Sequence, residues 1–88
     1  MNFVNYDIGR FCFRYRQEVL HLTLVQFSKI TRVPLKTISS FENGRSSNLN
    51  IMLKYVIQTD NQEEKEYFYE NITNIVRSHE MLLRGFYK

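Results

Sequence analysis

One cysteine, one proline and three glycines are all that this 88-residue chain holds of the residue types that staple or break a backbone. The lone Cys12 cannot close an internal disulfide, and no cysteine–histidine cluster has metal-ligand spacing, so neither a stapled scaffold nor a metal site is expected. Free cysteine is usually buried, which makes Cys12 a core residue and a reducing cytoplasm the simplest setting. No repeat, low-complexity tract or Pro/Gly/Ser-rich linker divides the chain, and its length allows one domain. No apolar run approaches the ~18–20 residues that span a bilayer, and the N-terminus lacks a signal-peptide pattern, so no membrane partner is expected. There is no phosphate-cradling glycine loop, no histidine–acid pair at catalytic spacing and no nucleophile elbow, so the chain is expected to be neither an enzyme nor a cofactor carrier. His21 and His79 read as structural.

What is present is apolar material at helical spacing. Hydrophobic residues make up 43% of the chain, enough for a small core and against disorder. Five helices are the economical reading. The first runs from about Asp7 to Leu20, the second over 24–31, the third over 34–43 and the fourth from about Leu49 to Ile57. Asp60-x-x-Glu63 resembles a capping box and opens a fifth of about 25 residues, nearly 40 Å long. Residues 1–59 then form a helix-turn-helix domain and 60–88 a C-terminal helix for packing or dimerisation. The net charge of +3 is unevenly placed. Arg10, Arg14, Arg16, Lys29, Arg32, Lys36, Arg45 and Lys54 lie in the first two thirds, whereas Asp60 to Glu70 is acidic. Cations gathered on one portion suit a phosphate-binding module.

The segment Leu22 to Gly44 is the most informative. Thr23 precedes Gln26 by three residues, a capping box that opens a helix at Leu24. Val33-Pro34 ends it, because the residue before proline is pushed out of the helical region and proline suits the first turn of a new helix. Ile38 and Phe41 mark the inner face of that new helix, and Asn43-Gly44 supplies a left-handed stop. Two short helices joined by a tight turn, the second presented outward, have the form of a DNA-binding helix-turn-helix.

Leu22, Thr23, Phe27, Ser28, Val33, Thr37-Ile38-Ser39, Phe41, Glu42 and Gly44, taken at their fixed spacing, resemble the Cro/CI-type (XRE-like) helix-turn-helix family of phage repressors and bacterial regulators. The likeness extends more loosely from about Ile8 to Tyr55. It implies an all-α, lambda-repressor-like five-helix domain, here with an extended C-terminal helix. It implies base contacts from Leu35, Lys36, Thr37 and Ser40, the leucine limited to apolar contact with a thymine methyl. Phosphate contacts are implied at Thr23 and Leu24 (the N-terminus of the second helix), at Arg32 in the turn, at Asn43 and Arg45 in the following loop, and at Lys54. The sequence departs from the family's pattern in three places. Leu24 stands where relatives often carry glutamine, which would put two leucines on the DNA-facing surface. Arg32 replaces a common glycine and implies a non-glycine conformation there. The first-helix arginine that commonly pairs with the glutamate at Glu42 aligns with Gln17, so Glu42 is expected to be satisfied by Gln17 or by Arg16 one step earlier.

The expected function is a sequence-specific, double-stranded-DNA-binding repressor or Cro-like protein of a phage or other mobile element, regulated by abundance because no sensor domain accompanies it. The competing expectation, fed by Leu24 and Leu35, is a protein-interaction module such as an antirepressor or an inhibitor of a host protein. In the last helix Phe68, Ile72, Ile75, His79, Leu82 and Phe86 form an apolar stripe, and aromatics gather at both ends of the chain. That stripe is expected at a homodimer interface, the alternative being that it covers Ile8, Tyr15 and Val19 of its own chain.

Overall fold

The computed structural model describes residues 3–86, with side chains through residue 85, and every regular element among them is helical. Helix α1 spans Phe3–Arg14 and continues as a single π turn over Tyr15–Val19. It is followed by α2 (Leu24–Thr31), α3 (Leu35–Glu42), α4 (Leu49–Val56) and α5 (Gln62–Phe86). The expected all-α five-helix domain with a long last helix is what the chain adopts. Among the described residues no helix is long and apolar enough to cross a membrane.

Local chemistry sets most of the helix ends. The Thr23 hydroxyl accepts from the Gln26 N–H at 3.1 Å and the Gln26 side chain accepts from the Thr23 N–H at 2.8 Å, a reciprocal capping box. Asn48 caps α4 by accepting from the Ile51 N–H. The cap of α5 lies one residue later than Asp60. Asn61 accepts from the Glu64 N–H at 3.0 Å, while Thr59 accepts from the Asn61 N–H and donates to the Glu64 carboxylate.

Helix α1 departs from expectation at both ends. It starts at Phe3, four residues before Asp7, because its first turns rest on a loop far along the chain: a Cβ at Gly44 would lie 2.5 Å from the Tyr6 Cα. At the other end the Leu20 N–H reaches back to the Tyr15 carbonyl, and the Leu22 N–H to that of Arg16, both at 3.0 Å. The widened turn carries two successive side chains inward. Tyr15 is 1% exposed, against α5, and Arg16 is 3% exposed, beneath α3.

The core joins all five helices, with Cys12, Phe27, Ile38, Phe41, Tyr55, Val56 and Phe68 almost wholly covered. The aromatics at the two chain ends meet each other. Helices α1 and α5 run antiparallel, with Tyr15 edge-on to Phe68 at 4.9 Å and His79 hydrogen-bonded to Asp7 at 2.8 Å. Phe11 bridges Tyr67 and Phe68. A second set stacks Tyr55 between Phe27 and Phe41. Burial, with the Glu64 and Tyr69 charges adding, pushes the Tyr15 phenol up to about 12. Burial first, then the Glu42 charge, raises the Cys12 thiol well above its ordinary value, leaving it packed and unreactive.

This packing revises the expected dimer stripe. Phe68 and Ile72 belong to the core of their own chain, Ile75 lines a cleft against α1, and His79 is tied to Asp7. Phe68 and Ile72 are thus largely covered within their own chain, while Ile75 and His79 stay half-buried. Leu82 does lie exposed, and the Phe86 side chain falls outside the described residues. Spacing alone gave the stripe and left its cover open; the first residues of the stripe are covered by the chain's own core, as the alternative reading had it.

Gly9 marks the tightest crossing, where α1 passes the end of α3. A Cβ there would sit 2.4 Å from the Phe41 carbonyl oxygen and 2.8 Å from that of Glu42. Gly9→Ala should therefore lower the unfolding free energy measured in urea by about 1–3 kcal/mol, even though alanine is the better helix former by about 1 kcal/mol. Stability equal to or above that of the parent chain would contradict so close a crossing.

Candidate nucleic-acid interface

Helices α2 and α3 with the turn between them form a helix-turn-helix. The Ser28 hydroxyl donates to the Val33 carbonyl at 2.7 Å, and Thr31 accepts from the Val33 N–H while donating to the Phe27 carbonyl. Arg32 occupies the left-handed region, φ 61° and ψ 20°. The expectation of a non-glycine conformation here is corrected. Arginine adopts the backbone that a glycine would, because α2 must end and reverse within two residues of Pro34 whatever the side chain.

Pro34 caps α3 with φ −55°, and the Thr37 and Ile38 N–H groups bond to its carbonyl. The inner face of α3 is Ile38, Phe41 and Glu42, spaced three and four residues apart. Its outer face brings Lys36, Thr37 and Ser40 together, the first two exposed and Ser40 half-buried, with Leu35 at the leading end and 42% exposed. The sequence-derived base-contact set thus shares one outward surface.

The end of α3 is closed by a Schellman turn: the Gly44 N–H bonds to the Phe41 carbonyl and the Arg45 N–H to that of Ser40. Gly44 has φ 77° and is buried against Tyr6, so both its conformation and its surroundings demand glycine. The Asn43 amide donates to the Ser39 carbonyl at 2.9 Å. Arg45 emerges exposed just beyond, and Arg32 stands exposed before the other end of α3. Among the described residues none of Lys29, Arg32, Lys36, Arg45 and Lys54 is held in an ion pair. Lys54, half-buried on α4, is less available than the rest.

At two of the expected phosphate contacts the side chain is engaged elsewhere. The Thr23 hydroxyl is committed to capping, and Leu24 turns inward, packed against the core. The pair of leucines expected on the outer surface is therefore reduced to Leu35, and the apolar group exposed on that first turn is Val25 at 51%. Position in a motif does not fix which side of a one-turn register faces in; the core contact does.

Beneath this surface lies a polar cluster with little exposure. Arg16 grips the Glu42 carboxylate with two hydrogen bonds, Nε at 2.8 Å and an Nη at 2.9 Å, and its other Nη donates to the Leu22 carbonyl at 3.0 Å. The Tyr55 hydroxyl donates to the same carboxylate at 2.8 Å. Of the two expected partners for Glu42, Arg16 serves and Gln17 is exposed. Hydrogen bonding to Glu42 raises the Arg16 pKa above its ordinary value. Burial foremost, then the Glu42 charge and hydrogen bond, raises that of Tyr55. Tyr55 was missed from sequence. The signal was its place four residues after the buried Ile51, on the same face of α4.

The left-handed turn gives a direct test. Arg32→Gly should hold stability within about 1 kcal/mol, since relief of backbone strain offsets the added freedom of the unfolded chain. Arg32→Val should cost about 1 kcal/mol or more, because a β-branched residue is a true outlier at positive φ. Thermal melts check both, and equal melting of the two variants would contradict the geometry at Arg32.

The chain matches no family model, no curated protein and no solved structure, so its functional reading rests on its own residues and their arrangement.

Proposed function

We propose that this protein is a sequence-specific regulator that binds double-stranded DNA through α3, acting as a small repressor by occupying its site. The observation that supports it best is the outer face of α3. Lys36, Thr37 and Ser40 stand together without ion-pair partners among the described residues, and unpaired cations lie beyond both ends of the helix, Arg32 before it and Arg45 after it. A helix about 10–12 Å across fits a major groove about 12 Å wide. Lys36 can donate to guanine O6 and N7, Ser40 can donate or accept with several bases, and Leu35 offers contact to a thymine methyl. Arg32 and Arg45 carry no base information in this arrangement; they grip the backbone on either side and set the register. Such a role places the chain in the cytoplasm, and the resemblance to phage repressors favours a mobile-element origin.

Anisotropy titrations of labelled duplexes, random and genomic, between about 50 and 200 mM salt test the proposal. Affinity should fall linearly with salt on logarithmic axes. Arg45→Ala should weaken all sequences alike and lower that slope by about one, whereas Lys36→Ala should cost about 1–3 kcal/mol on the preferred sequence and relax the preference. Replacing contacted thymines by uracil should weaken binding through Leu35. Absence of any salt-dependent retention of duplex would overturn the proposal in favour of a protein-interaction module.

A further inference from the structure

We propose that the cleft between α1 and α5 is a binding site for a ribonucleoside monophosphate, with the phosphate on Arg10 and Arg14 and the base against Tyr67. The cleft encloses about 270 Å³, a size for one small ligand rather than a length of chain. The larger groove between α4 and α5, about 420 Å³, has no charged residue among those lining it and so no chemistry that selects an occupant. The α1–α5 cleft is the opposite case. Two arginines, two carboxylates and an amide line it around an aromatic floor.

The cations are free to bind. Arg10 and Arg14 stand one turn apart on α1, and neither makes an ion pair or a side-chain hydrogen bond among the described residues. Each neighbouring carboxylate is diverted. Asp7 bonds His79 at 2.8 Å. Glu18, four residues after Arg14, would be its partner in a regular helix. The π turn over Tyr15–Val19 adds a residue to that circuit, and the pair is not made. Arg10 lies over the Phe13 ring at 4.4 Å, a contact that uses the face of the guanidinium and leaves its N–H edge to donate. Two unpaired guanidiniums match the charge of about −1.5 to −2 on a phosphate monoester at neutral pH better than that of a single carboxylate.

The rest of the wall fits a nucleoside. Tyr67 meets Phe11 and Tyr15 with ring centroids at 5.8 and 6.5 Å, yet it stays 50% exposed, so part of its ring is open for a base to stack on. Asn71 donates from its amide nitrogen to the Tyr67 carbonyl, which leaves its own side-chain carbonyl to accept from an exocyclic amine of the base. Glu18, unpaired among the described residues, lines the same cleft and can accept from ribose hydroxyls. Arg16, which grips Glu42 at the end of α3, follows Tyr15 in the π turn, so a ligand seated on that turn bears on the element that positions α3.

Isothermal titration calorimetry of the full chain with AMP, CMP, GMP and UMP tests the site. At least one of the first three should bind, and UMP should bind more weakly because its base lacks an exocyclic amine. The matching nucleoside and inorganic phosphate should each bind about tenfold more weakly or worse, and Arg10→Gln and Arg14→Gln should each raise Kd by about the same factor, the loss expected for a hydrogen bond between charged groups. Both variants should keep the circular dichroism of the parent, since Arg14 is exposed and Arg10 half-buried without a hydrogen bond. Lys29→Gln, on α2 and outside the cleft, should leave Kd unchanged. Absence of binding by all four nucleotides up to about 1 mM would overturn the proposal. So would inorganic phosphate that binds as tightly as the nucleotides, or folded arginine variants that bind as the parent does. No DNA enters the measurement, so its failure would leave the reading of α3 intact.

Discussion

The Glu42 carboxylate is the point on which the arrangement of helices turns. It is the last residue of α3, and it is held from the π turn after α1 by Arg16 and from α4 by Tyr55, while Arg16 also binds the carbonyl of Leu22 just before α2. One buried anion thus ties α3 to the π turn, to α4 and, through Arg16, to the residue that leads into α2. Burying a charge is costly, and only a two-pronged guanidinium with an added hydroxyl makes it tolerable. Removing one partner from such a pair typically costs 3–5 kcal/mol, because the other charge is stranded. The cluster's contribution is less to net stability than to position. It fixes the angle at which α3 leaves the body, and hence where Lys36, Thr37 and Ser40 point.

The tight features gather around this cluster. Gly9 lets α1 pass against the carbonyls of Phe41 and Glu42, and Gly44 lets the loop after α3 lie on Tyr6. Both approaches leave no room for a Cβ, so α3 is clamped at its C-terminal end from two sides. Its N-terminal end is set by Pro34 and the turn at Arg32. A helix fixed at both ends presents its outer side chains with little freedom left to lose, which would serve the proposed contact with a rigid groove.

What the sequence made legible is what local chemistry decides. Thr23 and Gln26 open α2, Pro34 and Gly44 bound α3, and Ile38 and Phe41 lie inside because helical spacing leaves them no other side. What escaped depends on contacts between distant residues. The start of α1 is stabilised by Gly44, thirty-odd positions away. The inward turn of Arg16 needs a π turn that no local letter announces. Leu24 and Val25 are both apolar, and only the position of the core says that the first is covered and the second is not. In α5 the periodicity was legible but could not choose between a second subunit and α1: Phe68 and Ile72 are buried within their own chain, and exposed aliphatics such as Val76 and Leu83 lie on the neighbouring row.

The most direct measurement is amide chemical-shift mapping of the isotopically labelled protein titrated with a bound duplex. The account predicts the largest changes at Leu35 to Ser40, with further changes at Leu24 to Gln26 and in the loop from Arg45, and little along the acidic first turns of α5. Shifts confined to α5 or to the groove beside α4, with α3 unmoved, would contradict it.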